Sequence, residues 1–385
     1  MTDKDHMSKR KFMQELRRYQ KGSVSRRHFL GVTGLGAAAA ALGTAMPGLR
    51  PRRAYAAGDI GDRVVLATWP NYHDVENFER FTDETGAFVQ VNVFGSNEEM
   101  LAKLQAGGSG WDVFVPTNYT ITTYVSEDLI EPLDVSRLAN YDAGAFDPRF
   151  ADAGTVDGSL YAVPKNWGTT GFAVNTAHDG GKPFATWKDF WDRTMDDYSG
   201  RTMVHDYQLT TIGNALKYFG YSFNSVDPTE LADAERLLLD AKPHLFAISS
   251  DYQPAMRSGD AWMTMCWTGD GKQLNSDIPE IAYVLGREGG EIWSDYYAIP
   301  KGAPHREAAY ALIDFMLSPE VNAREVMAHG YPVADSRTNA LLPKEMLEDP
   351  ILYPAQDLLD ALEFGAAATL TDPNRAELLA RFKSA

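Results

Sequence analysis

Apolar and polar positions along the chain follow two periodicities in turn, that of a strand and that of a helix. The β-branched run 64–68 predicts a buried strand, and apolar residues at helical spacing over 75–86 predict the helix that follows. Further strands are predicted at 89–94 and 111–115, separated by a helix that begins after Ser96. Strands that alternate with helices in this way indicate an open parallel sheet.

The same alternation returns after a connection predicted at 164–168, which joins strands at 160–163 and 171–174. The stretch 291–300 leads the chain back toward the first series. The remaining predicted elements are strands at 202–204, 261–267 and 281–285, and helices at 210–218, 231–239, 308–317, 319–327, 358–364 and 375–382. The pattern predicts an α/β protein of two lobes, each a mixed sheet flanked by helices.

Several side chains that can hold a ligand come directly after predicted strands. In open α/β sheets, ligands bind in the crevice beyond the carboxyl ends of the strands, so these positions are candidates for a site. We expect the following residues to form the walls of one site: Trp69, Asn71, Tyr72, Thr117, Tyr119, Asp206, Tyr207, Trp267 and Asp270.

Trp293 and Asp295 lie two residues apart in the strand-like stretch 291–300. Side chains at this spacing share one face of a strand, so an indole and a carboxylate would lie side by side. An organic ammonium group is recognised by such a combination of aromatic face and negative charge. The alternative is a core tryptophan beside a solvated carboxylate.

Residues 1–56 have the order of an export signal. A basic segment with Arg26 and Arg27 precedes the uncharged run 31–49, and Ala54-Tyr55-Ala56 has the small residues of a cleavage site. The twin arginine resembles the signal of the bacterial twin-arginine translocation (Tat) machinery, so we expect export to the periplasm and a mature chain that begins near Ala57. A transmembrane anchor is the alternative.

The mature chain is predicted to be strongly acidic. Residues 1–56 carry twelve Lys or Arg and three acids, a net charge of +9, so the −17 of the whole chain leaves −26 on residues 57–385. Such a charge disfavours nucleic acid and anionic membranes as partners and attracts cations.

Signatures of cofactor, metal or nucleophilic chemistry are absent from the sequence. No glycine-rich phosphate loop joins a strand to a helix, the eight His residues lack a metal-binding spacing, and no Gly-x-Ser-x-Gly occurs. Cys266 is the only cysteine and lies in an apolar run, so it forms no intramolecular disulfide. We therefore predict no cofactor, no metal and no enzymatic activity, with the pair His205 and Asp206 as polar residues of a cleft rather than an acid and base.

A succession of motifs covers nearly the whole mature chain: Trp69-x-x-Tyr72, Phe81-x-x-Glu84-Thr85-Gly86, Ser96-Asn97-Glu98-x-Met100, Asp112-Val-x-Val-Pro116, Trp267-x-Gly269, Gly289-Gly290-x-x-Trp293-x-Asp295 and Gly330-Tyr331-Pro332. In this order and spacing they resemble the spermidine/putrescine-binding proteins of bacterial ABC importers. The resemblance implies a two-lobed, class II periplasmic-binding fold that is monomeric, binds its ligand in the interlobe cleft and delivers it to a permease at the inner membrane. Lobe 1 is expected at 57–168 plus 296–345 and lobe 2 at 169–295 plus 346–385.

In this family aromatic side chains flank the methylene chain of a polyamine, and carboxylates bind its ammonium ends. The resemblance makes Asp295, beside Trp293, one such carboxylate. Where the family has acids after the strand 202–204, this chain has Tyr207 and Thr210. The carboxylate for a second ammonium is left open among Asp206, Asp270 and Glu363.

These departures leave the ligand open. Losing one anionic position favours a ligand with one cationic end, such as a betaine, an amino acid derivative or an aminophosphonate, with His205 or Lys165 near its anionic group. A polyamine is the leading expectation. A periplasmic enzyme on the same fold and a protein that only binds a membrane sensor are the alternatives from other classes.

Overall fold

A computed structural model describes Arg18 and residues 60–70 and 72–385 of the chain. Except for Arg18, the predicted export signal lies outside the described residues, and so does Asn71. From residue 60 onward, strands and helices alternate as the sequence predicts.

The described chain contains strands and α-helices whose bounds agree with most predicted elements to within a few residues. The strands are β1 (Arg63–Thr68), β2 (Phe88–Val93), β3 (Val113–Phe114), β4 (Thr155–Val156), β5 (Ser159–Leu160), β6 (Ala162–Asn175), β7 (Thr202–Val204), β8 (Leu245–Ile248), β9 (Met263–Trp267), β10 (Ile281–Val284), β11 (Gly290–Ala298) and β12 (Leu362–Phe364). The α-helices are α1 (Val75–Thr85), α2 (Asn97–Gln105), α3 (Ile121–Ser126), α4 (Pro148–Ala151), α5 (Trp187–Thr194), α6 (Gln208–Tyr218), α7 (Pro228–Ala241), α8 (Gln253–Ser258), α9 (Thr268–Asp277), α10 (Arg306–Met316), α11 (Pro319–His329), α12 (Ser336–Asn339), α13 (Lys344–Leu347), α14 (Gln356–Asp360), α15 (Ala367–Thr371) and α16 (Pro373–Ser384).

One mixed sheet runs through both halves of the described chain, in the order β2-β1-β3-β11-β6-β9-β7-β8, with β10 on β6 and β12 on β11. β1 is parallel to β2 and β3, and β7 is parallel to β8 and β9. The sequence predicted a separate sheet for each lobe. The two are joined because β6 is long enough to pair with β11 along its first part and with β9 along its second.

Strand β6 is continuous through the segment 164–168, which the sequence predicted as a connection between two strands. Asn166 lies opposite Asp295 of β11, but the next pair joins Pro164 to Tyr296, so Lys165 is the extra residue of a β-bulge. A proline cannot donate a ladder hydrogen bond and is normally kept out of a central strand. The bulge interrupts the regular pairing at this proline, which is why the sequence pattern gave the wrong element.

Helix caps keep the connections after the strands short. Asp74 accepts a hydrogen bond from the Glu76 backbone nitrogen at the start of α1, and Ser96 accepts one from the Glu99 nitrogen at the start of α2. Gly86 ends α1 with a φ of 79°, which favours glycine. The described residues between β1 and α1 are therefore held close to the end of the strand.

Buried apolar side chains form a large cluster around β1, β3 and β11 and a second one beside β6, α5, α6 and α7. Helix α16 packs on the second cluster through Leu378 and Phe382. The helix predicted at 358–364 is only partly helical, because Leu362–Phe364 extends the sheet as β12 beside β11. No helix in the described chain has the length and apolar character needed to cross a bilayer.

Candidate ligand-binding site

A cavity lies where the ends of β1, β3, β7 and β9 meet one face of β11. Eight of the eleven residues predicted for the site line it: Trp69, Tyr72, Thr117, Tyr119, Tyr207, Trp267, Trp293 and Asp295. Four further residues complete its wall: Pro70, Asn97, Glu291 and Tyr331. The cavity thus combines aromatic rings with two carboxylates.

Two of the other predicted residues, Asp206 and Asp270, do not line this cavity. Asn71 lies outside the described residues. Asp206 is half-buried and turned toward the loop after β8, where its Oδ1 accepts a hydrogen bond from the Ser250 hydroxyl at 2.5 Å. Asp270 is buried in the first turn of α9, and its Oδ1 accepts a hydrogen bond from the Tyr331 hydroxyl at 3.2 Å. Both acids follow strands, but each faces a neighbouring element instead of the cavity.

Strand β11 presents three alternating side chains, Glu291, Trp293 and Asp295, to the cavity. All three are less than a tenth exposed. The sequence singled out Trp293 and Asp295 but missed Glu291. Glu291 precedes Trp293 by two residues, just as Trp293 precedes Asp295. This spacing was the signal in the sequence that could have identified Glu291.

The Trp293 indole lies flat against β6 at Gly168, the residue opposite it in the sheet. A Cβ atom at Gly168 would lie only 2.6 Å from Cζ2 of the indole, so the absence of a side chain there admits the ring. The Trp293 Nε1 atom is buried and has no hydrogen-bond partner among the described residues. It is a free donor in the wall of the cavity.

Asp295 has one carboxylate oxygen engaged and one free. Its Oδ2 accepts a hydrogen bond from the Tyr72 hydroxyl at 2.7 Å, whereas its buried Oδ1 has no partner among the described residues. Burial raises the pKa of the Asp295 carboxyl to about 7, although hydrogen bonds from Tyr72 and Thr117 and the charge of Lys165 act in the opposite direction. A buried acceptor of this kind favours a ligand that donates a hydrogen bond and carries positive charge.

Lys165, the bulged residue of β6, is buried behind Tyr72. Its Nζ donates to the Tyr72 carbonyl oxygen at 3.1 Å and lies 4.0 Å from the centre of the Tyr72 ring. Burial lowers the pKa of Lys165 to about 8, against the charges of Glu325 and Asp295. Neither Lys165 nor His205, the two residues considered for an anionic ligand group, lines the cavity.

Glu291 is the second carboxylate of the cavity. Its Oε2 accepts a hydrogen bond from the Thr170 hydroxyl at 2.5 Å, and burial raises the pKa of its carboxyl to about 8. Burial raises the pKa of the Tyr207 hydroxyl well above its usual value, and the negative charge of Glu291 adds to this rise. The Glu291 carboxylate therefore lies near Tyr207. No Lys, Arg or His of the described chain forms an ion pair with Glu291.

The aromatic walls are fixed by hydrogen bonds within the protein. Trp69 donates from Nε1 to the Val115 carbonyl oxygen at 3.0 Å, and Trp267 donates from Nε1 to the Tyr207 hydroxyl at 3.2 Å. The Trp69 and Trp267 rings meet edge to face, with centroids 6.2 Å apart. Asn97 donates to the Tyr119 hydroxyl at 2.9 Å. The rings are thus held in place before a ligand arrives.

Tyr331 closes the cavity from the segment after α11. Its ring lies 4.9 Å from that of Tyr72 and 5.4 Å from that of Trp293, centroid to centroid. The ring packs over Gly269, where a Cβ atom would lie 2.4 Å from it. Tyr331 belongs to the motif Gly330-Tyr331-Pro332, but it follows a helix rather than a strand, so the strand-end rule did not select it.

The chemistry of this cavity suits a small organic cation. Aromatic faces attract ammonium groups and cover methylene groups, and buried carboxylates that form no ion pair within the described chain favour a cation from outside. Groups of His, Cys, Asp and Glu able to hold a metal ion are not found among the described residues. Fold and cavity together define a receptor for a small solute.

The chain belongs to the bacterial extracellular solute-binding proteins, because the sequence model of that family matches residues 76–354. It is 32% identical over 310 residues to spermidine/putrescine-binding periplasmic protein 1 of Haemophilus influenzae, covering 80% of this chain and 84% of the relative. It is 31% identical over 319 residues to the spermidine/putrescine-binding periplasmic protein of Escherichia coli K12, covering 81% of this chain and 90% of the relative.

The fold is similar to that of a putative spermidine/putrescine ABC transporter protein from Listeria monocytogenes, with a TM-score of 0.77 and 30% identity over 84% of this chain and 99% of that chain. These findings confirm the family resemblance and the two-lobed α/β fold. The relatives are periplasmic solute-binding proteins of transporters, not enzymes, so the enzymatic alternative is set aside.

Proposed function

We propose that this protein captures a polyamine of the putrescine or spermidine kind and delivers it to an ABC permease. The observation that carries the proposal is Asp295, a buried carboxylate with a free oxygen beside an indole face. Such a pair can hold a desolvated ammonium group, with roughly 0.5–2 kcal/mol from each good aromatic face. The relatives in Haemophilus influenzae and Escherichia coli, which are spermidine/putrescine-binding proteins, support the same ligand class.

The proposed binding residues are those of the cavity wall that the sequence also singled out. Asp295 binds the ammonium, and Tyr72 and Thr117 orient the carboxylate. The remaining residues cover the methylene chain: Trp69, Tyr119, Tyr207, Trp267 and Trp293.

Ligand capture proceeds by closure of two lobes, 57–168 plus 296–345 and 169–295 plus 346–385. Strands β6 and β11 pair with each other and are flanked by β3 on one side and β9 on the other, which supports a hinge at these two strands. Lobe closure about a few such residues buries the ligand without a chemical step.

Export by the Tat machinery, a periplasmic location and a monomeric state complete the proposal. The twin arginine at 26–27 and the small residues at 54–56 support the export route. The periplasmic relatives support the location.

A second candidate is a receptor for another nitrogenous solute, such as a betaine, an amino acid derivative or an aminophosphonate. The buried Trp293 Nε1 favours it, since this donor has no acceptor in the part of the chain that the structure describes, and a ligand oxygen would supply one.

The test is thermal unfolding of residues 57–385 against a panel of putrescine, spermidine, betaines, amino acids and aminophosphonates. A ligand at one hundred times its Kd stabilises the native state by about 2.7 kcal/mol, which gives a clear shift of the midpoint. We expect putrescine or spermidine to shift the wild type and to leave the Asp295→Asn variant unshifted. A response to zwitterions alone would replace the polyamine with the second candidate.

A further inference from the structure

We infer that Glu291 is a second anionic subsite and that the ligand is a short linear diamine with a cationic group at each end. This inference rests on the proposed function and deepens it. The row Glu291, Trp293 and Asp295 on one face of β11 places an indole between two carboxylates. An extended diamine laid along this row meets a carboxylate at each end and an aromatic face at its methylene groups.

The acids that the sequence offered for a second ammonium are engaged elsewhere. Asp206 is bonded to Ser250, and Asp270 accepts from Tyr331. Glu363 forms an ion pair with Lys217 at 2.6 Å. None of the three lines the cavity, so among the described residues only Glu291 and Asp295 present carboxylates to it.

Glu291 lacks the partners that a buried carboxylate needs to be charged. It is 3% exposed, and among the described residues its carboxylate accepts a hydrogen bond from the neutral Thr170 hydroxyl. An ionised carboxylate in such surroundings is costly unless a cation pairs with it, and the described chain supplies none. An ammonium group of the ligand would complete the site.

The spacing of the two carboxylates selects the length of the ligand. A strand rises about 3.4 Å per residue, so the Cα atoms of Glu291 and Asp295 are roughly 13 Å apart. An extended four-carbon diamine measures about 6 Å between its nitrogens. Charge-assisted hydrogen bonds add about 2.8 Å at each end, for a span of roughly 12 Å. A spermidine-like triamine, with about 11 Å between its terminal nitrogens, is too long to lie straight between them.

Tyr207 is consistent with this arrangement. It carries no charge at the start of α6, and the charge of Glu291 on β11 acts on its hydroxyl. The negative charge at this end of the cavity is thus supplied by β11 instead of by the start of α6.

Titration calorimetry of residues 57–385 with 1,4-diaminobutane, spermidine and 1-aminobutane tests the inference. The wild type should bind 1,4-diaminobutane at least about tenfold more tightly than 1-aminobutane, because only the diamine meets both carboxylates. The Glu291→Gln variant keeps the shape of the side chain and should lose about tenfold or more in diamine affinity, with 1-aminobutane affinity nearly unchanged. The exposed Glu280→Gln variant, which removes the same charge far from the cavity, should change neither.

A Glu291→Asp variant tests how the binding affinity depends on the length of the diamine. The shorter side chain keeps the charge but withdraws it from the cavity, so the affinity preference should shift from 1,4-diaminobutane toward 1,5-diaminopentane. Equal loss of monoamine and diamine affinity in Glu291→Gln, or unchanged diamine affinity, would overturn the inference and leave the proposed function standing. If the wild type binds no amine at all, the proposed function itself fails.

Discussion

The Tyr72 hydroxyl lies 2.7 Å from Asp295 Oδ2 and joins the loop after β1 to the middle of β11, 223 residues further along the chain. The same hydroxyl lies 2.5 Å from Asn166 Oδ1. A phenol has one proton, so it can donate to only one of these oxygens at a time. Donation to Asp295 stabilises the ionised carboxylate and leaves its other oxygen to a ligand.

Replacement of Tyr72 by phenylalanine is therefore expected to weaken amine binding. The Tyr72→Phe variant keeps the ring beside the cavity but removes the donor to Asp295, so the pKa of the carboxyl rises further and its charge is less available. A lost hydrogen bond to a charged group costs about 1.5–3 kcal/mol, or roughly ten- to hundredfold in Kd measured by calorimetry. The surface variant Tyr221→Phe, which removes a phenol bonded to Asp233, should bind as the wild type does.

Amine affinity should increase with pH between about pH 6 and pH 8.5. Burial raises the pKa of Asp295 to about 7 and that of Glu291 to about 8, so each carboxyl must lose its proton before it can pair with an ammonium group. Calorimetry in two buffers of different ionisation enthalpy should detect protons released on binding at neutral pH. Affinity that stays constant over this range, with no proton release, would contradict the assignment of these carboxylates.

Stability of the ligand-free protein should depend on pH in the opposite direction. The pKa values of Asp295 and Glu291 are higher in the folded state than their ordinary values of 3.8 and 4.5, so the folded state binds protons more tightly. The two carboxyl groups contribute fully to the free energy of unfolding when the pH is below their ordinary pKa values. This contribution is lost as the pH rises through about 7 for Asp295 and about 8 for Glu291. We expect the free energy of unfolding to fall more between pH 5 and 8 in the wild type than in the Asp295→Asn, Glu291→Gln double variant. Denaturant unfolding at several pH values measures the difference, and equal slopes would refute it.

Introduction of a side chain at Gly168 should disturb the site while leaving the charges in place. A Cβ atom there would lie 2.6 Å from the Trp293 indole, so Gly168→Ala must displace the ring from β6. Loss of one aromatic face corresponds to roughly 0.5–2 kcal/mol, or about two- to thirtyfold in Kd. Gly144→Ala is the matched control, since its Cβ atom would make only an ordinary contact of 3.4 Å with Asp142.

The Glu363→Gln variant should lower stability but not amine affinity. Glu363 pairs with Lys217 at 2.6 Å and accepts a hydrogen bond from the Phe223 backbone nitrogen, and its side chain is 29% exposed. Because this partial exposure screens the pair, we expect a loss of about 1 kcal/mol in the free energy of unfolding. A large loss of diamine affinity would instead identify Glu363 as part of the ligand site.

The strand ends were predictable because they depend on local patterns. The run 64–68 and the aromatic residues that follow it could be placed at a crevice from periodicity alone, and Trp69 and Tyr72 do line the cavity. The direction in which a side chain points after a strand end was not predictable. Asp206 and Asp270 face Ser250 and Tyr331, contacts that depend on elements distant in sequence.

Features that depend on strand pairing were also missed. The continuity of β6 through Pro164 requires a bulge, and the presence of a bulge follows from the register with β11 rather than from the sequence of β6.

Glu291 was overlooked for a different reason. The alternation that selected Trp293 and Asp295 includes it, but a glutamate is normally solvated, and only the packing of Tyr119 and Tyr207 over this end of β11 makes it a cavity residue.

The bulge at Lys165 gives the sheet a local irregularity beside the pair of Asn166 and Asp295. Bulged strands bend and twist more than regular ones, so the residue proposed to bind the ammonium group is paired next to an irregular point of β6. Where a permease pulls the two halves of the molecule apart, we expect the pairing of Asn166 with Asp295 to change and the proposed contact with the amine to weaken with it.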